Sequence, residues 1–197
     1  MAICAPSAPL APSRPAHIVD KGQTAVRRGQ VNDPKTEPPL EGACTCGALR
    51  YALTSAPLFV HCCHCRWCQR ETGSAFALNA MIETDRVVLR SGAPETVLTP
   101  SHSGRGQKIV RCPTCRIAVW SHYAGAGDAV AFVRVGTLAE PDRLPPDIHI
   151  FTASKQPWVV LPPGAPAVEE YYDREKYWPA TSLARWRDLR AKHPAPS

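Results

Sequence analysis

His61-Cys62-Cys63-His64-Cys65-Arg66-Trp67-Cys68 places four of the chain's nine cysteines within seven residues. Two smaller groups flank it, Cys44-Thr45-Cys46-Gly47 and Cys112-Pro113-Thr114-Cys115. The thiolate is a favoured ligand of zinc, and a C-x-x-C turn lets both sulfurs face one ion. A tighter C-x-C does the same when the chain bends, and Gly47 eases such a bend. One such group is common. Three between residues 44 and 115 specify a domain organised by metal.

Zinc prefers four ligands in a tetrahedron. Cys44, Cys46, Cys112 and Cys115 form an economical set of four, joining two distant segments. Closing such a site contributes about 10–16 kcal/mol toward folding, comparable with the whole stability of a small domain. Cys63, Cys65 and Cys68 are then left as three ligands with one position open, the arrangement of catalytic zinc. Two zinc ions per chain follow. Adjacent Cys62 and Cys63 side chains point apart in an extended chain, so Cys62 reads as a small buried hydrophobe. Three other arrangements compete: a second four-ligand structural site completed by Cys62 or His64, disulfides, and iron–sulfur ligation with spacings unlike those of ferredoxins. His64 reads as a residue bonding a thiolate or carbonyl beside the metal, or as a half-exposed loop residue. His61 reads as a strand-end residue, and His149 as a core hydrogen-bonding residue rather than a pocket-lining one.

Composition narrows the class. The net charge of +6 sits in the flanks. Residues 1–38 hold five Lys/Arg against three Asp/Glu, 171–197 six against three, and 39–170 twelve against eleven. Nucleic-acid binders concentrate basic residues on the working domain, so nucleic acid is not the expected partner. No apolar run is long enough for a membrane span, and the N-terminus does not read as a signal peptide. A cytoplasmic location is expected, and a reducing compartment favours metal ligation over disulfides.

Residues 1–38, rich in Pro and Ala and then polar, read as a disordered extension, and Cys4 is set aside with them. Residues 39–170 read as the zinc-binding domain and 171–197 as a helical flank. Short β-branched or aromatic runs recur between turn residues, at Leu49 to Leu53, Ala75 to Ile82, 87–89, 96–98, 108–110, Ile117 to Trp120 and Val130 to Val135. They predict a mainly β domain of antiparallel sheets. A short helix is expected around Trp67 to Thr72, stopped by Gly73. A C-terminal helix is expected to be capped by Thr181 or Ser182, with Leu183, Trp186 and Leu189 on one face, docked at the sheet edge.

Glu41-Gly42-Ala43-Cys44-Thr45-Cys46-Gly47-Ala48-Leu49-Arg50-Tyr51, Cys63-His64-Cys65-Arg66-Trp67-Cys68 with Thr72-Gly73-Ser74, and Cys112-Pro113-Thr114-Cys115 together resemble the glutathione-dependent formaldehyde-activating enzyme family, which includes centromere protein V. The resemblance covers about residues 39–160. It implies a β-tent of twisted antiparallel sheets. It implies a structural zinc on Cys44, Cys46, Cys112 and Cys115, and a catalytic zinc on Cys63, Cys65 and Cys68. The implied activity is that of a carbon–sulfur lyase, an S-(hydroxymethyl)glutathione synthase that joins glutathione to formaldehyde. Arg66, Arg70, Arg105, Lys108 and Lys155 are candidates to meet the glutathione carboxylates, since cationic side chains pair with carboxylates, and Trp67 and Trp158 to wall the pocket. The alternatives are a non-enzymatic, zinc-stabilised binding module and, more distantly, a zinc-dependent methionine sulfoxide reductase. One position departs from the family pattern. Arg116 follows the last C-x-x-C where the family usually has Gly, at a place that favours left-handed backbone.

Overall fold

The computed structural model describes residues 39–101 and 103–194. The extension expected over 1–38, Cys4 included, lies outside the described residues. Among the described residues, ten strands make two sheets. β1 (Leu40–Ala43), β2 (Arg50–Leu53) and β5 (Val87–Ser91) form a small antiparallel sheet in the order β1-β2-β5. The larger sheet takes β3 (Phe59–Cys63), β4 (Ala77–Glu83), β6 (Glu95–Thr99), β7 (Gln107–Arg111), β8 (Ala118–Tyr123), β9 (Val130–Arg134) and β10 (Ile148–Ile150), in the order β10-β3-β4-β9-β8-β7-β6. The fold is therefore mainly β. Its strand pairs are antiparallel except β10 with β3, which run parallel. No helix among the described residues is long and apolar enough to cross a membrane.

The register of the large sheet decides which side chains meet. Phe59 lies opposite Met81, His61 opposite Asn79 and Cys63 opposite Ala77, while Met81 faces Phe132 and Asn79 faces Arg134 on β9. Because side chains alternate along a strand, Phe59, His61 and Cys63 share one face of the sheet and Val60 and Cys62 share the other. The face bearing Val60, Ala80, Ile82 and Val133 packs against Leu40, Leu49, Tyr51 and Leu53 from and beside the small sheet, and Cys44 and Cys112 belong to that core. The face bearing Phe59, Met81 and Phe132 packs with Tyr172, Trp178, Leu183 and Leu189, and Cys63, Cys65 and Cys68 belong to this second core.

Strand β3 was not foreseen. Its five residues, Phe-Val-His-Cys-Cys, are all buried, so it lacks the alternation that marks a half-exposed strand. His61 lies inside this strand rather than at its end.

Helix α1 (Arg66–Thr72) stands where expected. Cys65 caps its start by accepting from the Cys68 N–H, and Gly73 closes it in left-handed backbone with φ 64°. α2 (Arg174–Tyr177) is a single turn, and α3 (Ala180–Lys192) follows. The cap of α3 is Pro179 at φ −59°, with no side-chain hydrogen bond. The proline ring presets the entry, so Ser182 falls within the helix and is buried. The helix lies on a sheet face rather than at its edge, with Leu183 and Leu189 in the second core. Arg185 anchors it, donating to both carboxylate oxygens of the buried Glu83 at 2.9 and 2.5 Å.

Candidate functional site

The two halves of the four-cysteine group are built alike. In the first, Gly47 N–H donates to Cys44 O at 3.0 Å, Cys44 N–H to Leu49 O at 3.0 Å, and Leu49 N–H to Cys44 Sγ at 3.3 Å. In the second, Arg116 N–H donates to Cys112 O at 2.9 Å and Cys112 N–H to Ile117 O at 3.0 Å. Both turns end on left-handed backbone, at Gly47 with φ 74° and Arg116 with φ 64°. Arg116 thus accepts the strain that Gly avoids, about 1–2 kcal/mol for an L-residue, and its guanidinium pairs with Glu95. The four sulfurs lie within 4.8 Å of one another, with Cys44 and Cys46 3.5 Å apart and Cys46 and Cys112 3.8 Å apart. Backbone N–H groups of Ile117 and Cys46 pull the Cys115 thiol down to about 6. This donor set fits a tetrahedral zinc.

The three-cysteine group sits at the end of β3 and the start of α1. Cys63, Cys65 and Cys68 are buried, and their sulfurs also lie within 4.8 Å of one another. Among the described residues no fourth Cys, His, Asp or Glu joins this group. Bonds from the neighbouring thiols of Cys63 and Cys68, and from the Cys68 and Trp67 N–H groups, draw the Cys65 thiol down to about 2. Hydrogen bonding with Cys65 and Cys68, then burial and the charge of those two thiols, pushes Cys63 up. A cation among the three would remove that conflict, so these residues also fit zinc.

These three cysteines form part of the wall of a cavity of about 360 Å³. Met81, Phe132, Ile150 and Phe151 give it apolar sides, and His61, Asn79 and Tyr123 add polar groups. Tyr123 Oη lies 4.0 Å from Cys68 Sγ, and burial raises its pKa well above the ordinary value, so it stays a phenol. Burial, with Arg174 adding to it, holds His61 down at about 3 and therefore neutral. Trp178 Nε1–H donates to Tyr172 Oη at 2.7 Å, and Tyr172 Oη lies 2.5 Å from His61 Nε2. Indole only donates, so the phenol accepts from Trp178, and the tautomer of His61 sets the direction of the second bond.

The C-terminal flank supplies a cation to the cavity. Arg174 and Tyr171 line it. Arg174 stacks over Trp186 at 4.4 Å and has no carboxylate partner among the described residues. None of Arg66, Arg70, Arg105, Lys108 or Lys155 lines the cavity, and neither Trp67 nor Trp158 does. Arg66 donates to Gln69, Lys108 pairs with Asp128, and Lys155 bonds Val159 O. Trp158 is 71% exposed. The cations expected from the sequence did not include one from the C-terminal flank, and the fold brings one in from 106 positions beyond Cys68.

Gln69 was also missed. Its Nε2 donates to His64 O at 2.6 Å and Ser154 O at 2.9 Å, and Gln156 donates to its Oε1 at 2.7 Å. This clamp ties the cysteine turn to the segment after β10. Arg111 steadies the other side of α1 through an ion pair with Glu71. No sequence signal singles out a glutamine for that role.

Cys62 and His64 face away from the three-cysteine group. Cys62 Sγ lies 3.6 Å from His64 Nε2, which lies 3.0 Å from His149 Nδ1. His64 is fully buried, not a half-exposed loop residue, and His149 is buried beside it.

Two comparisons with known proteins bear on this geometry, and a third does not. The family model described as glutathione-dependent formaldehyde-activating enzyme matches residues 39–154. A Halomonas elongata protein named "Putative glutathione-dependent formaldehyde-activating enzyme" is 25% identical over 126 residues, 62% of this chain and 80% of that protein. The crystal structure of a Rhodobacter sphaeroides protein aligns with a TM-score of 0.40 at 22% identity, covering 51% of this chain and 88% of that one, too slight a likeness to bear on fold or function.

Proposed function

The chain belongs to the glutathione-dependent formaldehyde-activating enzyme family, and from that premise we propose that it is a zinc-dependent carbon–sulfur lyase. It adds a thiol, glutathione or a relative, to a small aldehyde. The observation that carries this reading is the three-cysteine group opening onto the cavity, with Cys62 and His64 turned away from it. Cys63, Cys65 and Cys68 would hold the reacting zinc, and Cys44, Cys46, Cys112 and Cys115 a structural one. Zinc on three thiolates, with a position left free, favours the thiolate form of an incoming thiol.

The chain's own residues do the rest. The thiol sulfur bonds to the carbonyl carbon, the C=O π bond breaks, and the oxygen takes up the proton that the thiol gives up. Tyr123 supplies a hydrogen bond to the oxygen as charge develops there. Arg174 receives a carboxylate of the thiol substrate, a pairing worth about 1.5–3 kcal/mol when charge-assisted. Met81, Phe132 and Ile150 keep water from the reacting atoms. A reducing, cytoplasmic setting keeps the thiols available as ligands.

Zinc X-ray absorption with and without glutathione, alongside formaldehyde consumption, tests the reading. Sulfur coordination at one zinc should rise from three to four on adding glutathione, and glutathione should accelerate formaldehyde loss. Unchanged coordination with no turnover would leave a zinc-stabilised binding module instead.

A further inference from the structure

Beyond the seven cysteines already discussed, a third set of metal-ligating side chains converges. Strand alternation sends Cys62 to the opposite side of β3 from Cys63. The parallel pairing of β10 with β3 sets His149 in register with Cys62. His64, just past the strand, completes the trio. One donor atom from each lies within 4.8 Å of the others, and the three residues are 2%, 0% and 6% exposed.

We infer that Cys62, His64 and His149 form a further metal site, for a divalent first-row cation of zinc character, back to back with the three-cysteine group. It does not depend on the proposed lyase activity.

Spacing is the first support. With Zn–S near ~2.3 Å and Zn–N near ~2.05 Å, the edges of a tetrahedral site are about 3.6 Å for sulfur to nitrogen and about 3.3 Å for nitrogen to nitrogen. The corresponding separations here are 3.6 Å from Cys62 Sγ to His64 Nε2 and 3.0 Å from His64 Nε2 to His149 Nδ1.

Proton counting is the second. His64 Nε2 faces both other donor atoms and carries either one proton or one lone pair. Bonded to His149, it cannot also satisfy the thiol. A cation engages a lone pair on all three at once. One sulfur and two imidazoles suit a borderline ion such as zinc.

The backbone of both histidines is held in place. His64 O accepts from Gln69 Nε2 at 2.6 Å and Ser154 Oγ at 3.0 Å, and the His149 backbone N–H donates to Pro166 O at 2.8 Å. Charge is compatible as well. One thiolate and two neutral imidazoles around a divalent ion leave +1, which would offset the −1 of a three-thiolate zinc across the strand.

The test is a metal count with zinc X-ray absorption on full-length protein, loaded with excess zinc and desalted. Wild type should bind three zinc per chain and show imidazole scattering. Cys62→Ser and His149→Gln should each bind two and lose that scattering. Cys65→Ser should lose a different zinc and keep it. All-sulfur coordination in wild type, or three zinc with unchanged scattering in Cys62→Ser, overturns the site. Should both variants fail to fold, the imidazole signature of wild type decides alone. A failure of the lyase reading looks different: glutathione would change neither zinc coordination nor formaldehyde loss, while the imidazole scattering of wild type and its loss in Cys62→Ser would stand.

Discussion

The two cysteine groups differ in where their ligands come from and what lies beside them. The four-cysteine group draws on two segments more than sixty residues apart, and its buried members Cys44 and Cys112 sit in the core shared by both sheets. The three-cysteine group draws on one strand end and one helical turn, and its sulfurs face a cavity of about 360 Å³. A long loop closed by metal restrains the unfolded chain far more than a six-residue one. A metal on the first group would therefore contribute more to holding the fold than a metal on the second. The difference teaches that ligand count alone is a weak guide to role, whereas the sequence span of the ligands and their access to a cavity together are a strong one.

The largest expected effect breaks the first group. Cys112→Ser should unfold the domain, since about 10–16 kcal/mol of metal binding exceeds most domain stabilities; circular dichroism and thermal melting would show it. Cys65→Ser should lose one zinc and bring turnover to background, yet lower the melting midpoint by only a few degrees, about 1 kcal/mol at this chain length. Equal unfolding by both variants would erase the distinction between the groups.

Smaller effects sharpen the picture on the cavity side. Tyr123→Phe should cost about 10²-fold in kcat, the usual loss of one donor to a developing oxyanion, with zinc content unchanged. Arg174→Gln should raise KM for glutathione about tenfold, and should leave a neutral small thiol nearly unaffected. The smallest effect belongs to the four-cysteine side. Arg116→Gly should stabilise by about 0.5–1 kcal/mol, because the strain of φ 64° outweighs the added freedom of the unfolded chain and the exposed pair with Glu95 contributes little. A destabilised Arg116→Gly would mean that the two turns are not equivalent.

By itself, the sequence determined the mainly β class, α1 with its Gly73 stop, and which cysteines group into sets able to hold a metal. Those are local properties: sulfur spacing, β-branched runs and turn residues act over a few positions and leave a readable pattern. Tertiary structure alone decided the rest. β3 carries no period because both of its faces are covered. Tyr123 and Arg174 reach the site through long-range packing, Gln69 meets Ser154 and Gln156 only in the fold, and their identities announce no role. That Cys62 points away from Cys63 was legible, but its meeting with His64 and His149 was not until β10 paired in parallel with β3 and set His149 opposite Cys62. Strand register is a cooperative outcome of core burial, and no stretch of this chain encodes it alone.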